Sequence, residues 1–308
     1  MLSSDLCASA RGDTTWFYVD DRTAAVHNGP RPFASRALFS AALAAGMVAS
    51  AVACAAHLPP DPTTTKARRA LFLALMPSSL TNCRMKRYGE THDGGYLMCA
   101  NLMSEVRAAY SYGINGYDQW GCDISKELGV TVHEYDCFNA SPPSCDRGVL
   151  VFHEECIGDR AETREGRPFD TLNHQVAKNG DAGKHLIVKI DVEGAEWGSL
   201  LAASDSVLDL IDQMAIEFHG TDEASYLDTV TKLAAHFVVA HVHANNNACN
   251  AWWKPFRSWA NEALLVNKQL AIVDRSAFVP PGLHALDAPN NPAKPDCPVS
   301  IPNPRPPA

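Results

Sequence analysis

The sequence predicts an α/β domain built on a mostly parallel sheet, with helices on both faces and an antiparallel strand at one edge. Three observations carry this. Leu186 to Ile190 is apolar at nearly every residue, as a strand buried on both faces must be, and it runs straight into Asp191, Glu193 and Gly194. Strand-like and helix-like segments alternate on either side of it, the pattern that winds a chain into parallel strands. The turn Gly113-Ile-Asn-Gly116 follows an apolar run and precedes an acid, Asp136, by about the twenty residues that a strand, helix and strand require.

Taken in order, Asp93-Gly94 followed by Gly95-Tyr-Leu-Met98 reads as a turn entering a short strand, and a hairpin at the domain edge is its simplest meaning. Ala108 to Tyr112 is the first core strand, Asp123 to Leu128 a helical turn and Thr131 to Tyr135 the second strand. Gly148 to Phe152 is the third, and Leu172, Val176 and Ala177 mark the crossover helix into the central strand. After Gly194, residues Trp197, Leu200, Leu201 and Ser204 keep helical spacing; Gln213 to Phe218 is the next strand, with Glu217 and His219 at its end. Tyr226, Leu227, Val230, Leu233 and Ala234 give another helix face. Phe237 to Val242 and Glu262 to Val266 are the last two strands, expected to pair antiparallel across an aromatic loop holding Trp252, Trp253, Phe256 and Trp259.

Outside that core, residues 1–36 show no period and are expected to lack fixed structure. Residues 37–56 are uncharged and rich in Ala, just long enough to span a bilayer; with Arg31 and Arg36 before them they read as a signal anchor or targeting segment. A cleaved signal peptide ending at Ala53-Cys54-Ala55, an organelle presequence and a soluble Ala-rich helix are the other readings of that segment. Residues 57–80 read as a linker, 81–279 as the domain and 280–308 as an irregular Pro-rich tail. A membrane or secretory location follows, and the eight cysteines from Cys83 onward would then face an oxidising lumen. Their connectivity stays open. Asn139-Ala-Ser is a formal glycosylation acceptor with Pro142 close behind it. A net charge of -9 excludes an extended nucleic-acid surface.

The constellation resembles a known family. Lys189-Ile-Asp-Val-Glu-Gly-Ala-Glu196 is similar to the central motif of the FkbM-type S-adenosylmethionine-dependent methyltransferases and of their eukaryotic relatives among the methyltransferase-like proteins. Tyr110-Ser-Tyr-Gly-Ile-Asn115 resembles the first cofactor loop, Tyr135-Asp136 the ribose-binding strand end, Ile157-Gly-Asp159 the adenine-side loop and Glu217-Phe-His219 the strand after the central motif. Asp93-Gly-Gly-Tyr96 with Cys99 resembles the lead-in of those relatives. The likeness runs from Cys83 to Asn267 and implies a Rossmann-like, seven-stranded methyltransferase sheet. Ser111 departs from it, standing where the family commonly has an acid, and a glycine expected a little further on is displaced to Gly116.

The resemblance implies S-adenosyl-L-methionine as cofactor, held by Gly113, Asn115, Gly116, Asp136, Asp159 and Asp191, and a reacting centre formed by Asp191, Glu193 and His219, with His219 as base. Methyl transfer to an oxygen of a small molecule, sugar or protein is the expected reaction; the Asn/Asp-Pro-Pro-aromatic motif of nucleic-acid amino-methylation does not follow the central strand. Glu196 reads as a first-turn acid favoured by the helix dipole. Asp191, Glu193 and His219 are chemically able to hold a divalent ion, but their spacing is not diagnostic and no metal is expected. His241 and His243 read as packed or hydrogen-bonded strand residues. The rival to an enzyme is a catalytically silent methyltransferase fold that binds partners, motivated by Ser111 and the tryptophan loop.

Overall fold

The computed structural model describes residues 62–221, 223–250, 254–279 and 284–297. Residues 1–36, the apolar segment 37–56, Trp252 and Trp253 lie outside them, and among the described residues no helix is long and apolar enough to cross a membrane. The chain is mixed α/β. Helices are α1 (Pro62–Ala74), α2 (Gln119–Leu128), α3 (Leu172–Lys178), α4 (Ala195–Ala202), α5 (Asp205–Leu208) and α6 (Tyr226–His236). Strands β1 (Ser78–Leu80), β2 (Met85–Gly89) and β3 (Gly95–Cys99) precede the core strands β4 (Val106–Tyr112), β5 (Thr131–Tyr135) and β6 (Val149–His153). A small excursion, β7 (Cys156–Ile157), β8 (Glu162–Arg164) and β9 (Arg167–Asp170), leads to β10 (His185–Ile190), β11 (Ile211–His219), β12 (Phe237–Ala244), β13 (Ala260–Asn267) and β14 (Val273–Phe278).

Seven strands form the main sheet in the order β12-β13-β11-β10-β4-β5-β6. β4, β5, β6, β10 and β11 are mutually parallel, while β13 runs against both β11 and β12. The last two strands do pair antiparallel at one edge, but the reversed strand is β13, one place in; β12 is the edge itself. That arrangement brings the ends of β4, β5, β10, β11 and β12 and the start of β13 to one rim.

One face of the sheet is covered by α1, α3, α4 and α6, whose Leu71, Leu172, Trp197 and Leu233 share a core with Tyr110, Val188, Ile190 and Phe218. Among the described residues, α2 is the one helix on the other face. Its remaining cover is the β2–β3 hairpin, through Tyr88, Tyr96 and Met98 packed on Ala109, Ile187, Ala215 and Leu264. Two boundaries need correction. Residues 62–80, expected as part of a linker, belong to the domain: Pro62 opens α1 at the first helical position, where its missing N–H costs nothing, and Leu71 and Phe72 of that helix, with Leu75 just past its end, are buried in the core. Residues 284–297 of the expected tail form no helix or strand, yet they belong to the domain, because Asn290 and Cys297 are buried and Cys297 is bonded to Cys249. Cys83–Cys99, Cys122–Cys145 and Cys137–Cys156 complete the pairing of all eight cysteines from Cys83 onward.

Under the hairpin, Glu134, Ser111 and Lys189 lie side by side on β5, β4 and β10. Both carboxylate oxygens of Glu134 are buried without a hydrogen-bond partner, as are Ser111 Oγ, Trp120 Nε1 and Asp118 Oδ2. Burial, with the charge of Asp118 adding to it, holds the Glu134 carboxyl well above the ordinary range. Folding therefore takes up a proton at this group, and its contribution worsens as pH rises above the ordinary carboxyl value. Glu134→Gln, which mimics the neutral form, is expected to stabilise the domain by about 2 kcal/mol at pH 8 and to do little at pH 4. Thermal unfolding of the two proteins across that range tests it; an equal or lower melting temperature for the variant at pH 8 contradicts the assignment.

Candidate functional site

The rim is organised by a close approach at Gly113. The Gly113 N–H donates to the Tyr135 carbonyl on one side at 3.0 Å, and the Asp191 N–H donates to the Tyr112 carbonyl on the other at 3.1 Å. A Cβ on Gly113 would stand 1.6 Å from the Asp191 carbonyl oxygen, and its φ is +73°, so only glycine fits. Asn115 and Gly116 also take left-handed backbone, at φ 47° and 78°, which turns the loop across the rim. Asp136 closes it. One carboxylate oxygen accepts from Asn115 N at 2.8 Å, and the other accepts from Phe138 N and Asn139 N at 2.8 and 3.0 Å. The acid expected to meet a ribose also clamps the loop.

Lys189, buried inside an otherwise apolar strand, has the same purpose. Its ammonium donates to the carbonyls of Tyr112 and Gly113 at 3.2 and 2.9 Å and lies 3.9 Å from Asp191 Oδ2. Tyr96 from the hairpin donates its hydroxyl to the same Asp191 oxygen at 3.0 Å. Burial, then the charge of Asp191, pushes that phenol well above its ordinary range, so it stays a donor. The Asp93-Gly-Gly-Tyr96 turn is therefore a wall of the site as well as a hairpin.

Past Asp191 the chain makes two left-handed steps, at Glu193 (φ 54°) and Gly194 (φ 108°), and enters α4. Glu196 in its first turn is completely buried. It accepts from Gly194 N at 2.8 Å and from His219 N at 2.7 Å, and its Oε1 lies 3.3 Å from His219 Nδ1. Beyond serving the helix dipole, Glu196 is the fixed support of His219. On the other side of the ring, His219 Nε2 faces Asp191 Oδ1 at 3.7 Å, Glu193 Oε2 at 3.7 Å and Glu217 Oε1 at 3.8 Å. Asn245 at the end of β12 donates to Glu217 Oε1 at 2.8 Å, and the Trp259 ring lies 5.2 Å from the imidazole.

Burial works against a charged imidazole here, but the Glu196 hydrogen bond and the charges of Glu196, Glu217 and Asp191 outweigh it and push His219 up to about 9. Four carboxylates therefore favour positive charge at this position. Glu217 is raised by burial and by the neighbouring charges of Asp191 and Glu262.

Of the residues singled out in the sequence, Gly113, Asn115, Gly116, Asp136, Asp191, Glu193 and His219 come to this rim. Asp159 does not join them by any contact among the described residues. Its carboxylate is taken by Arg160 and Arg164 at 3.3 and 2.8 Å, on an exposed turn beside Gly198 of α4. Lys189, Glu196, Asn245 and Trp259 were not foreseen as site residues. Only Lys189 carried a local signal, a charge within a strand apolar on both sides.

A strap crosses above. The His92 ring meets the Pro289 carbonyl at 2.8 Å, and Asn290 donates to Asp93 Oδ1 and Glu262 Oε1 at 2.9 and 2.6 Å. His241 pairs with Asp287 and His243 with Asp296, so the two strand histidines are hydrogen-bonded as expected. No protein-family model matches the chain, and no curated protein matches it.

Proposed function

We propose that this domain is an S-adenosylmethionine-dependent methyltransferase with a Rossmann-like sheet, transferring a methyl group to an oxygen of a small molecule, sugar or protein. The observation that carries the reading is the convergence at Gly113 of three strand ends, those of β4, β5 and β10, which brings the glycine turn, Asp136 and Asp191 to one cleft. Open α/β sheets bind ligands at that edge. The residues present fit the cofactor: the left-handed turn at Gly113, Asn115 and Gly116 crosses the rim, and the carboxylates of Asp191 and Glu217 suit a positive sulfonium.

When bound, the cofactor supplies an activated methyl group. The chain's own residues do the rest. Gly113, Asn115 and Gly116 would hold the cofactor through backbone, with Asp136 and Lys189 keeping that loop in place. Asp191, fixed by Tyr96, orients the reacting centre. Glu193, whose side chain is exposed at the rim, is the carboxylate placed to take the proton of the acceptor hydroxyl at Oε2. Ser111, the departure that motivates the silent-fold alternative, is fully buried between Glu134 and Lys189 and does not line the cleft. Trp259 is half-buried beside His219 rather than displayed to a partner.

Four disulfides suit an oxidising compartment, which favours a lumenal domain behind a signal anchor at residues 37–56. Calorimetry of the full chain with S-adenosylmethionine and with its demethylated product tests the function. One molecule bound per chain is expected; no heat from a chain that still unfolds cooperatively overturns the reading.

A further inference from the structure

The rim holds a second kind of site. One donor atom each from Asp191, Glu217 and His219 lies within 4.8 Å of the other two. The carboxylate oxygens around His219 Nε2 stand at 3.7, 3.7 and 3.8 Å, beyond hydrogen-bond reach and nearly equal. Ligand atoms sharing one ion, with bonds of about 2.1–2.3 Å, are about 3.0–3.8 Å apart in octahedral or tetrahedral arrangements. The two separations from Nε2 fall at the top of that range, and the oxygens of Asp191 and Glu217 lie within 4.8 Å of each other.

The second observation is the state of the histidine. Its side chain is only 4% exposed, yet Nε2 makes no hydrogen bond among the described residues and points at the carboxylates. Its other nitrogen is backed by the fully buried Glu196. A buried carboxylate behind one imidazole nitrogen, with the other aimed at acidic oxygens, is how metal-ligating histidines are oriented. The remaining donors are held in the same way, Asp191 by the Tyr96 hydroxyl and Glu217 by the Asn245 amide. Four carboxylates, Asp191, Glu193, Glu196 and Glu217, surround the ring, and Lys189 is the nearby fixed cation.

We propose that Asp191, Glu217 and His219 form a binding site for a divalent first-row transition ion, with Glu196, Tyr96 and Asn245 orienting the ligands. Two oxygens and one imidazole nitrogen favour an ion of the Mn²⁺ or Zn²⁺ class over Mg²⁺ or Ca²⁺, whose preferred donors are all oxygen. The binding does not depend on the cofactor. Its use in catalysis does rest on the methyltransferase reading: an ion beside the reacting centre lowers the pKa of an acceptor hydroxyl and aligns it.

The test is titration of the chelator-treated full chain with MnCl₂, followed by electron paramagnetic resonance. One ion per chain is expected, with electron-spin-echo modulation from a single imidazole nitrogen. Glu217→Gln is expected to weaken binding at least tenfold, while Glu262→Gln, a neighbour outside the ligand set, leaves it within twofold. Absence of binding, an ion without nitrogen coupling, or unchanged affinity in Glu217→Gln overturns the proposal. None of these readouts uses S-adenosylmethionine, so metal binding and the methyltransferase reading fail separately.

Discussion

Gly113→Ala is expected to abolish cofactor binding and to destabilise the domain by about 3–5 kcal/mol, from a left-handed backbone penalty of about 1–2 kcal/mol and overpacking of up to about 3. The Cβ would meet the Asp191 carbonyl oxygen at 1.6 Å and Val192 Cγ1 at 3.3 Å, so β4 and β10 must part where the cleft is built. A control separates the two costs. Gly129, which ends α2, has nearly the same φ, +67°, but a methyl group there would have no atom within 4 Å, so Gly129→Ala bears the backbone penalty alone. Chemical denaturation should show about 1–2 kcal/mol for Gly129→Ala with binding intact. Equal costs for the two variants would mean that the strand ends are not pressed together at Gly113.

Much of this frame was legible in the sequence because its strands carry strong local signals. Thr131–Tyr135 has the bounds its β-branched and aromatic residues predict, and Leu186 to Ile190 differs from β10 only by His185. Gly113, Asp136 and Asp191 were found for the same reason: each ends a strand, and parallel strands must end on one rim. What was illegible depends on tertiary contact. α1 looked like a linker because its Pro and Thr residues are loop-like, and only the burial of Leu71, Phe72 and Leu75 against the sheet makes it a helix. Glu196 looked like a dipole acid because nothing in its neighbourhood names His219, which is 23 residues away. Asp159 is paired with Arg160 and Arg164, its near neighbours in sequence, and the sequence does not say how far that turn lies from the glycine loop.

The strap shows the same limit, and it yields a strong prediction. Residues 284–297 have the Pro-rich and Asn-rich composition of a loose tail, but Cys249–Cys297 closes them onto the rim. Cys297→Ser is expected to cost about 4 kcal/mol, from a chain-entropy estimate for a crosslink spanning 48 residues. Hydrogen exchange should rise in 284–297 and, through Asn290 and His92, in the Asp93 turn that carries Tyr96 to Asp191. The Asn246 and Asn290 hydrogen bonds remain, and beside them part of the hold is electrostatic and depends on pH. Burial opposes a charge on His243, but the Glu262 hydrogen bond and charge, with Asp287 and Asp296, push it up to about 9. A raised histidine contributes fully below its ordinary value near 6.5 and loses that contribution as pH rises through about 9. Asp287 runs the other way: burial raises it, but His241 and the His284 backbone outweigh burial and leave it below the ordinary range, so its share is lost only in acid. In Cys297→Ser the protection factors of the strap, taken against the intrinsic exchange rate at each pH, should therefore be high near pH 6 and low above pH 9, whereas those of the disulfide-bonded protein should change much less. Protection of 284–297 in the variant that does not vary between those two pH values would remove His243 as the second latch.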